Sequence, residues 1–233
     1  MEKKHSKRMK KNYESVDDNK IYDLKDACAI LKNSKQAKFV ETVDIAIKLG
    51  IDLEKTEQHV RGVVSLPHGI GKKVKVAVFA KGEKVKEAED AGADIVGGEE
   101  LLEKIKDGKI DFDRCIATPD MMPAVGKLGQ VLGPKGLMPN PKLGTVTDDV
   151  KKAVNSLKLG QVEFRSEKSG IVHSGIGKIN MESKAIEENI CAFFKAVQKA
   201  KPTSVKGIYI KKVSVSTTMG PGIKLNTSNL NVA

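Results

Sequence analysis

The residues best suited to chemistry in this chain are short runs of glycine, hydroxyl and lysine side chains, and they favour contact with a polyanion over bond making. Gly69-Ile70-Gly71-Lys72 has phosphate-loop composition but is too short and lacks the third glycine of a dinucleotide loop. No Gly-x-x-x-x-Gly-Lys-Ser/Thr run occurs, so P-loop phosphate binding has no support. The four histidines, His5, His59, His68 and His173, form neither a His-Glu-x-x-His motif nor a Cys/His metal spacing. No Gly-x-Ser-x-Gly nucleophile elbow is present. Asp111 and Asp113 flank Phe112 ahead of a predicted strand, an arrangement that fits a solvated strand entry better than an acid/base pair.

Three other stretches suit binding. Gly126–Gly144 holds five glycines and three prolines among Lys127, Lys135 and Lys142, which predicts a long loop of defined shape. Its composition fits a structural connection over one end of a sheet better than an RNA contact. Ser214–Gly222 runs from hydroxyl residues into Met219-Gly220-Pro221-Gly222. Such residues let an RNA backbone approach and can bond phosphates and 2′-hydroxyls, or they form a Thr-rich strand followed by an ordinary turn. Lys38 and Phe39 precede a strand in which Glu41 shares the phase of Phe39, so that face starts out polar and the strand tip is expected outside the core. His173 and Lys178 add two donors, although a strand-end histidine is more often simply satisfied.

These residues need elements to position them. In the middle of the chain, strands Lys75–Ala80, Asp94–Val96 and Arg114–Ala117 alternate with helices Glu83–Ala91 and Glu99–Lys106, and helical patterns follow around Met122–Val131 and Asp148–Leu157. That alternation predicts a parallel sheet with helices on its faces. The ends differ. Asp23–Lys32 reads as a helix with Leu24, Ala27, Cys28 and Leu31 on one face, and Ile186–Lys199 as another with Ile190, Phe193, Phe194 and Val197. Phe39–Leu49 reads as a strand with Val43, Ile45, Ile47 and Leu49 inward. Val162–Ser166 and Ile171–His173 read as a hairpin across Lys168-Ser169-Gly170, and Gly207–Thr217 as the last strand. The expectation is an α+β domain from residues 1–67 plus 160–233 with an α/β domain, 68–159, inserted between them. Two crossings side by side, near Leu66-Pro67-His68-Gly69 and Leu159-Gly160, make a hinge.

Charge agrees with that division. The 233 residues carry a formal charge of +11. Residues 68–159 hold 16 Lys+Arg against 14 Asp+Glu, a net of +2, and the remainder holds 25 against 16, a net of +9. Such an excess points to nucleic acid or an anionic membrane, or is a generic basic surface. No apolar run approaches the ~20 residues that span a bilayer, and MEKKHSKRMKK at the N-terminus lacks the apolar stretch of a secretory signal. Cys28, Cys115 and Cys191 are odd in number and far apart, which argues against a disulfide framework and for a reducing compartment.

Several segments together carry a resemblance. They are Lys38-Phe39-Val40-Glu41-Thr42-Val43, Val60–Gly69 (VRGVVSLPHG), Gly92-Ala93-Asp94, Gly97-Gly98-Glu99-Glu100, Ala117-Thr118-Pro119-Asp120, Leu132–Lys142 (LGPKGLMPNPK) and Ser216-Thr217-Thr218-Met219-Gly220-Pro221. In this order, from about residue 20 to 225, they resemble the bacterial type of the large-subunit ribosomal protein L-one family. The resemblance implies that the inserted domain is Rossmann-like and that the chain is not an enzyme and needs no cofactor. It implies a cytoplasmic, ribosome-bound protein, monomeric when free, that binds large-subunit rRNA. It also implies a mobile stalk beside the exit site for deacylated tRNA, help in releasing that tRNA, and repression of its own operon mRNA. Matched motifs place the RNA contacts at Lys38, Phe39, Glu41 and Thr42, at Ser216, Thr217, Thr218, Met219, Gly220 and Pro221, and in a further region at His173 and Lys178. Lys212 departs from the serine of some relatives, and the basic N-terminal tail matches no motif. The competing reading is an α/β enzyme holding a nucleotide-like ligand in the inserted domain; the missing phosphate loop and the placement of charge stand against it.

Overall fold

The computed structural model describes residues 6–17, 19–52, 56–106 and 110–230. In chain order its elements are α1 (Lys7–Glu14), α2 (Leu24–Asn33), β1 (Thr42–Leu49), β2 (Arg61–Ser65), β3 (Val76–Phe79), α3 (Glu83–Asp90), β4 (Ile95–Gly97), α4 (Glu99–Lys106), β5 (Arg114–Ala117), α5 (Met122–Gly126), α6 (Gly129–Leu132), α7 (Val150–Lys158), β6 (Gln161–Arg165), β7 (Ile171–Lys178), α8 (Ser183–Lys199), β8 (Ile210–Thr217), β9 (Ile223–Leu225) and α9 (Thr227–Leu230). The protein is thus mixed α and β. It divides into two compact units, Met1–Lys72 with Val162–Ala233, and Lys73–Gln161.

In the first unit a four-stranded sheet has the order β7-β1-β8-β9, and β1 pairs antiparallel with both β7 and β8. The alternation along β1 does what period two requires: Val43, Ile45, Ile47 and Leu49 are buried, while Thr42, Asp44, Ala46 and Lys48 are not. Their buried face joins Val172, Ile176, Val213, Val215 and Ile223, and it is covered by Ala27, Cys28 and Leu31 of α2 and Ile190, Phe193, Phe194 and Val197 of α8. Both helices end for a local reason. Ser34 closes α2 with its N–H on the Ile30 carbonyl, and Lys201-Pro202 follows α8, where the ring of Pro202 disfavours helix in the residue before it. Phe164 of β6 meets Phe193 of α8 edge-on, with centroids 5.5 Å apart, which packs the small β2-β6 sheet onto the same core.

The middle unit holds a three-stranded parallel sheet of order β4-β3-β5. β3 is buried on both faces. Val76 and Val78 pack with Ala88 of α3 and Val150, Val154 and Leu157 of α7. Ala77 and Phe79 pack with Leu101, Leu102 and Ile105 of α4, Val125 of α5 and Leu132 of α6. Helices on both sides explain why the strand reads as a continuous apolar run.

Four expectations need correction. β1 begins at Thr42 rather than Phe39: Thr42 stands opposite Lys178, the last residue of β7, and beyond that pair the Ile179 N–H on the Glu41 carbonyl continues the contact for one residue. The helical stretch Met122–Val131 is two short helices broken at Lys127-Leu128. β6 and β7 pair only at the base of their turn, where the antiparallel Ser166↔Val172 bridge and the Glu167 N–H on the Ile171 carbonyl join them beside Gly170, φ +70°; over the rest of their length β6 pairs β2 and β7 pairs β1. The strand expected over Gly207–Thr217 starts at Ile210 and is followed by β9, to whose Leu225 Tyr22 adds a parallel bridge.

Candidate nucleic-acid interface

At one end of the four-stranded sheet, the segment leading into β1 lies beside the segment leaving β8. Strand pairing dictates this: Thr42 faces Lys178 and Val43 faces Thr217, so residues 38–41 and 218–221 emerge together. The two strand ends are cross-linked. The Thr218 N–H donates to the Thr42 carbonyl at 3.0 Å, and the Thr42 N–H donates to the Thr218 hydroxyl at 3.0 Å. Lys178 Nζ donates to the Thr42 hydroxyl at 2.8 Å. Above this knot three apolar side chains face solvent: Phe39 is 53 % exposed, Val40 50 % and Met219 49 %. Lys35 and Lys38 are exposed beside them along the chain. Nothing in the local sequence singles out Val40; its exposure follows from the strand starting two residues after it.

Glu41 is the correction at this site. Its phase with Phe39 places it on an exposed tip, yet its side chain is fully buried. Its carboxylate accepts the Ala37 N–H at 2.6 Å on one oxygen and the Met219 N–H at 3.0 Å on the other. Burial pushes the Glu41 carboxyl up, but hydrogen bonds from Thr217, Ala37 and Met219 and the Arg8 guanidinium outweigh it and hold the pKa below the usual carboxylate value. The carboxylate therefore ties the two emerging segments to each other. Thr217 and Pro221 are buried as well, so these three residues lie behind the surface, and Thr42, Thr218, Met219, Phe39 and Lys38 are at it. Gly220 has a steric reason to be glycine. A Cβ there would overlap Thr217 Oγ1, which is engaged with Glu41.

The sheet face away from the helices stays open. Along it Thr42, Asp44, Ala46 and Lys48 of β1 stand beside Lys178, Gly175 and His173 of β7 and beside Ser216, Ser214 and Lys212 of β8. The small side chains at its centre leave room for a backbone to lie close. Lys48 is directly opposite Lys212, a like-charge pair that costs stability unless an anion lies over it. Asp44 sits between them and the tip. Burial raises its pKa, opposed by the charges of Lys178 and His173. His173 is exposed, opposite Ala46, about 13 Å along the strand from Thr42. Its Nε2 is 3.8 Å from a Glu167 oxygen. The structure therefore gathers residues 38–42, 216–221 and Lys178 at one end, and it places His173 on the same face farther along.

In the middle unit the Gly/Pro-rich stretch 126–144 wraps the sheet. Leu128 and Leu132 are buried against it, and the Cys115 thiol donates to the Leu137 carbonyl. That is the structural connection its composition favours. Among the described residues no group of three or more His, Cys, Asp or Glu could hold a metal ion, and no helix is long and apolar enough to cross a membrane. Compared with known protein families, residues 31–221 match the model of the ribosomal protein L1p/L10e family, a span that includes both halves of the tip and the whole middle unit.

Proposed function

The chain belongs to the ribosomal protein L1p/L10e family, whose members are structural proteins of the large ribosomal subunit that bind rRNA, and on that premise we propose that the tip of the four-stranded sheet is its rRNA-recognition site. Phe39 and Met219 offer apolar surface to unstacked bases, and the hydroxyls of Thr42, Thr218 and Ser216 meet sugar and phosphate oxygens, while Gly220 leaves room for the Thr217 hydroxyl behind them. Lys38 and Lys178 at the tip, and Lys48 and Lys212 farther along, neutralise phosphates, and His173 contacts the same RNA strand from the open face. Glu41, Thr217 and Pro221 act from behind by fixing the shape of the tip. The single observation that carries this reading is an uncharged, exposed Phe39–Val40–Met219 surface set at the mouth of a cross-linked pair of strand ends. An exposed apolar cluster on so basic a chain is what shape-selective RNA binding requires.

We propose a finer role on the same premise. The protein sits in the mobile stalk near the exit site, assists release of deacylated tRNA, and represses its own operon mRNA by presenting the same tip to a similar RNA structure. When free it is a monomer. The middle unit serves as a second, Rossmann-like domain, and its parallel sheet with helices on both faces supports that assignment. The test is binding of the full chain and its Phe39→Ala variant to a large-subunit rRNA fragment and to a random-sequence hairpin at several salt concentrations. Loss of one stacked base contact should weaken cognate binding by roughly 5- to 150-fold, about 1–3 kcal/mol, and leave the salt slope unchanged. Equal loss for both RNAs sinks the assignment of the tip.

A further inference from the structure

The basic N-terminal helix α1 matches no binding motif, and its apolar anchoring is slight: its one fully buried residue is Asn12. A helix of eight residues is not stable alone, so its docking must come from bonds to its neighbours. Those bonds converge on the recognition tip. Arg8 and Asn12, four residues apart, share one face of α1. Asn12 bonds the backbone of Lys35 in both directions: its Nδ2 donates to the Lys35 carbonyl at 3.1 Å and its Oδ1 accepts the Lys35 N–H at 2.9 Å. Arg8 spans the gap between the two emerging segments. Nη1 donates to the Lys35 carbonyl at 2.9 Å and Nη2 to the Met219 carbonyl at 2.9 Å, and Nη1 lies 3.9 Å from the buried Glu41 carboxylate.

We propose that α1 is a clamp on the RNA-recognition tip, with Arg8 as the positioning residue that holds segment 35–41 and segment 218–221 in register. The proposal rests on the reading of the tip as the rRNA site. Met219 shows why the clamp matters. Its N–H is held by Glu41 and its carbonyl by Arg8, so both polar groups of one exposed recognition residue are fixed from behind. A planar guanidinium with donors on two nitrogens can hold two carbonyls at once, which an ammonium on a flexible stem cannot do with the same geometry. Nη1 and Nη2 of Arg8 thereby each donate inward to the protein, while Lys7, Lys10 and Lys11 of the same helix are exposed to solvent. The clamp acts by pre-ordering the tip, so that less of the binding free energy goes into fixing it when RNA arrives.

The test compares the full chain with Arg8→Ala, Arg8→Lys and, as a control that removes one charge from the exposed side of α1, Lys7→Ala. Amide hydrogen exchange in the absence of RNA reads the clamp directly. Residues 35–41 and 217–220 should exchange about tenfold faster or more in both Arg8 variants and at the wild-type rate in Lys7→Ala. Binding to the rRNA fragment should weaken roughly tenfold in both Arg8 variants, with the salt slope unchanged and the random hairpin affected no more than by Lys7→Ala. Recovery of cognate affinity by Arg8→Lys, or equal losses on both RNAs with a flatter slope, overturns the clamp and makes Arg8 a phosphate contact. Unchanged exchange in segments 35–41 and 217–220 also overturns it. Failure of the wild-type chain to prefer the rRNA fragment instead condemns the assignment of the tip, and the exchange data then judge the clamp alone.

Discussion

Glu41→Gln tests whether one buried carboxylate organises the tip of the four-stranded sheet. In the native protein each oxygen of Glu41 serves a different segment, Ala37 on one and Met219 on the other, with Thr217 as a further donor. An amide keeps one acceptor oxygen and turns an NH2 toward the second backbone N–H, so one of the two donors loses its partner. An unsatisfied buried donor costs about 1–3 kcal/mol, and each remaining bond falls from a charge-assisted to a neutral one, roughly another 1 kcal/mol. Removing a buried charge offsets part of this, which leaves a net loss of about 1–3 kcal/mol and a fall in Tm of roughly 3–10 °C. The pH dependence supplies an independent sign. Glu41 has a native pKa below its ordinary value of 4.5, so its stabilisation is fully present above about pH 4.5 and is lost as pH falls through the lower native value. The gap between wild type and Glu41→Gln in urea unfolding should therefore be wide at pH 7 and shrink as pH approaches 3. A gap that stays constant over this range, or one below about 0.5 kcal/mol at pH 7, refutes the reasoning.

Further outcomes follow from the same geometry. Gly220→Ala should push Thr217 off Glu41 and cost roughly 1–3 kcal/mol in urea unfolding, whereas Gly222→Ala, with open space around its Cβ, should change stability by less than about 0.5 kcal/mol. Thr218→Ala should lower the cognate-to-random RNA ratio by about 5- to 150-fold while leaving the salt slope alone, and Lys38→Ala should weaken both RNAs alike and flatten the slope; filter binding over a salt series separates them. Asn189 is fully buried in α8. It accepts the His68 N–H at 3.1 Å and donates to the Gly69 and Ile176 carbonyls at 2.9 and 3.0 Å, so Asn189→Ala should destabilise the protein by about 3 kcal/mol in chemical unfolding. Burial pushes the Cys28 and Cys115 thiols up to about 12 and raises Cys191 as well. Iodoacetamide at pH 8 should then modify none of the three in the folded chain and all three in urea, as read by mass spectrometry.

What was legible in the sequence is what has a local period. Alternation along Val43, Ile45, Ile47 and Leu49 marked the inward face of β1, and the spacing of Ile190, Phe193, Phe194 and Val197 marked the core stripe of α8, because burial of apolar surface repeats with the backbone geometry. The ordered motifs from Lys38 to Pro221 carried the family, and with it the expected tip residues. Tertiary structure decided the rest, and it did so through polar bonds, which follow no period. β6 reads locally as half of a hairpin, yet β2, about a hundred residues earlier in the chain, takes it as partner. α1 has no strong apolar stripe; Arg8 has a role only because Met219, 211 residues away, comes within 2.9 Å. Glu41 reads as an exposed acid at a strand tip and becomes a buried anchor because a donor 178 residues farther along is folded onto it. A charged side chain leaves water only where several distant donors converge, and that convergence exists only once the fold has formed.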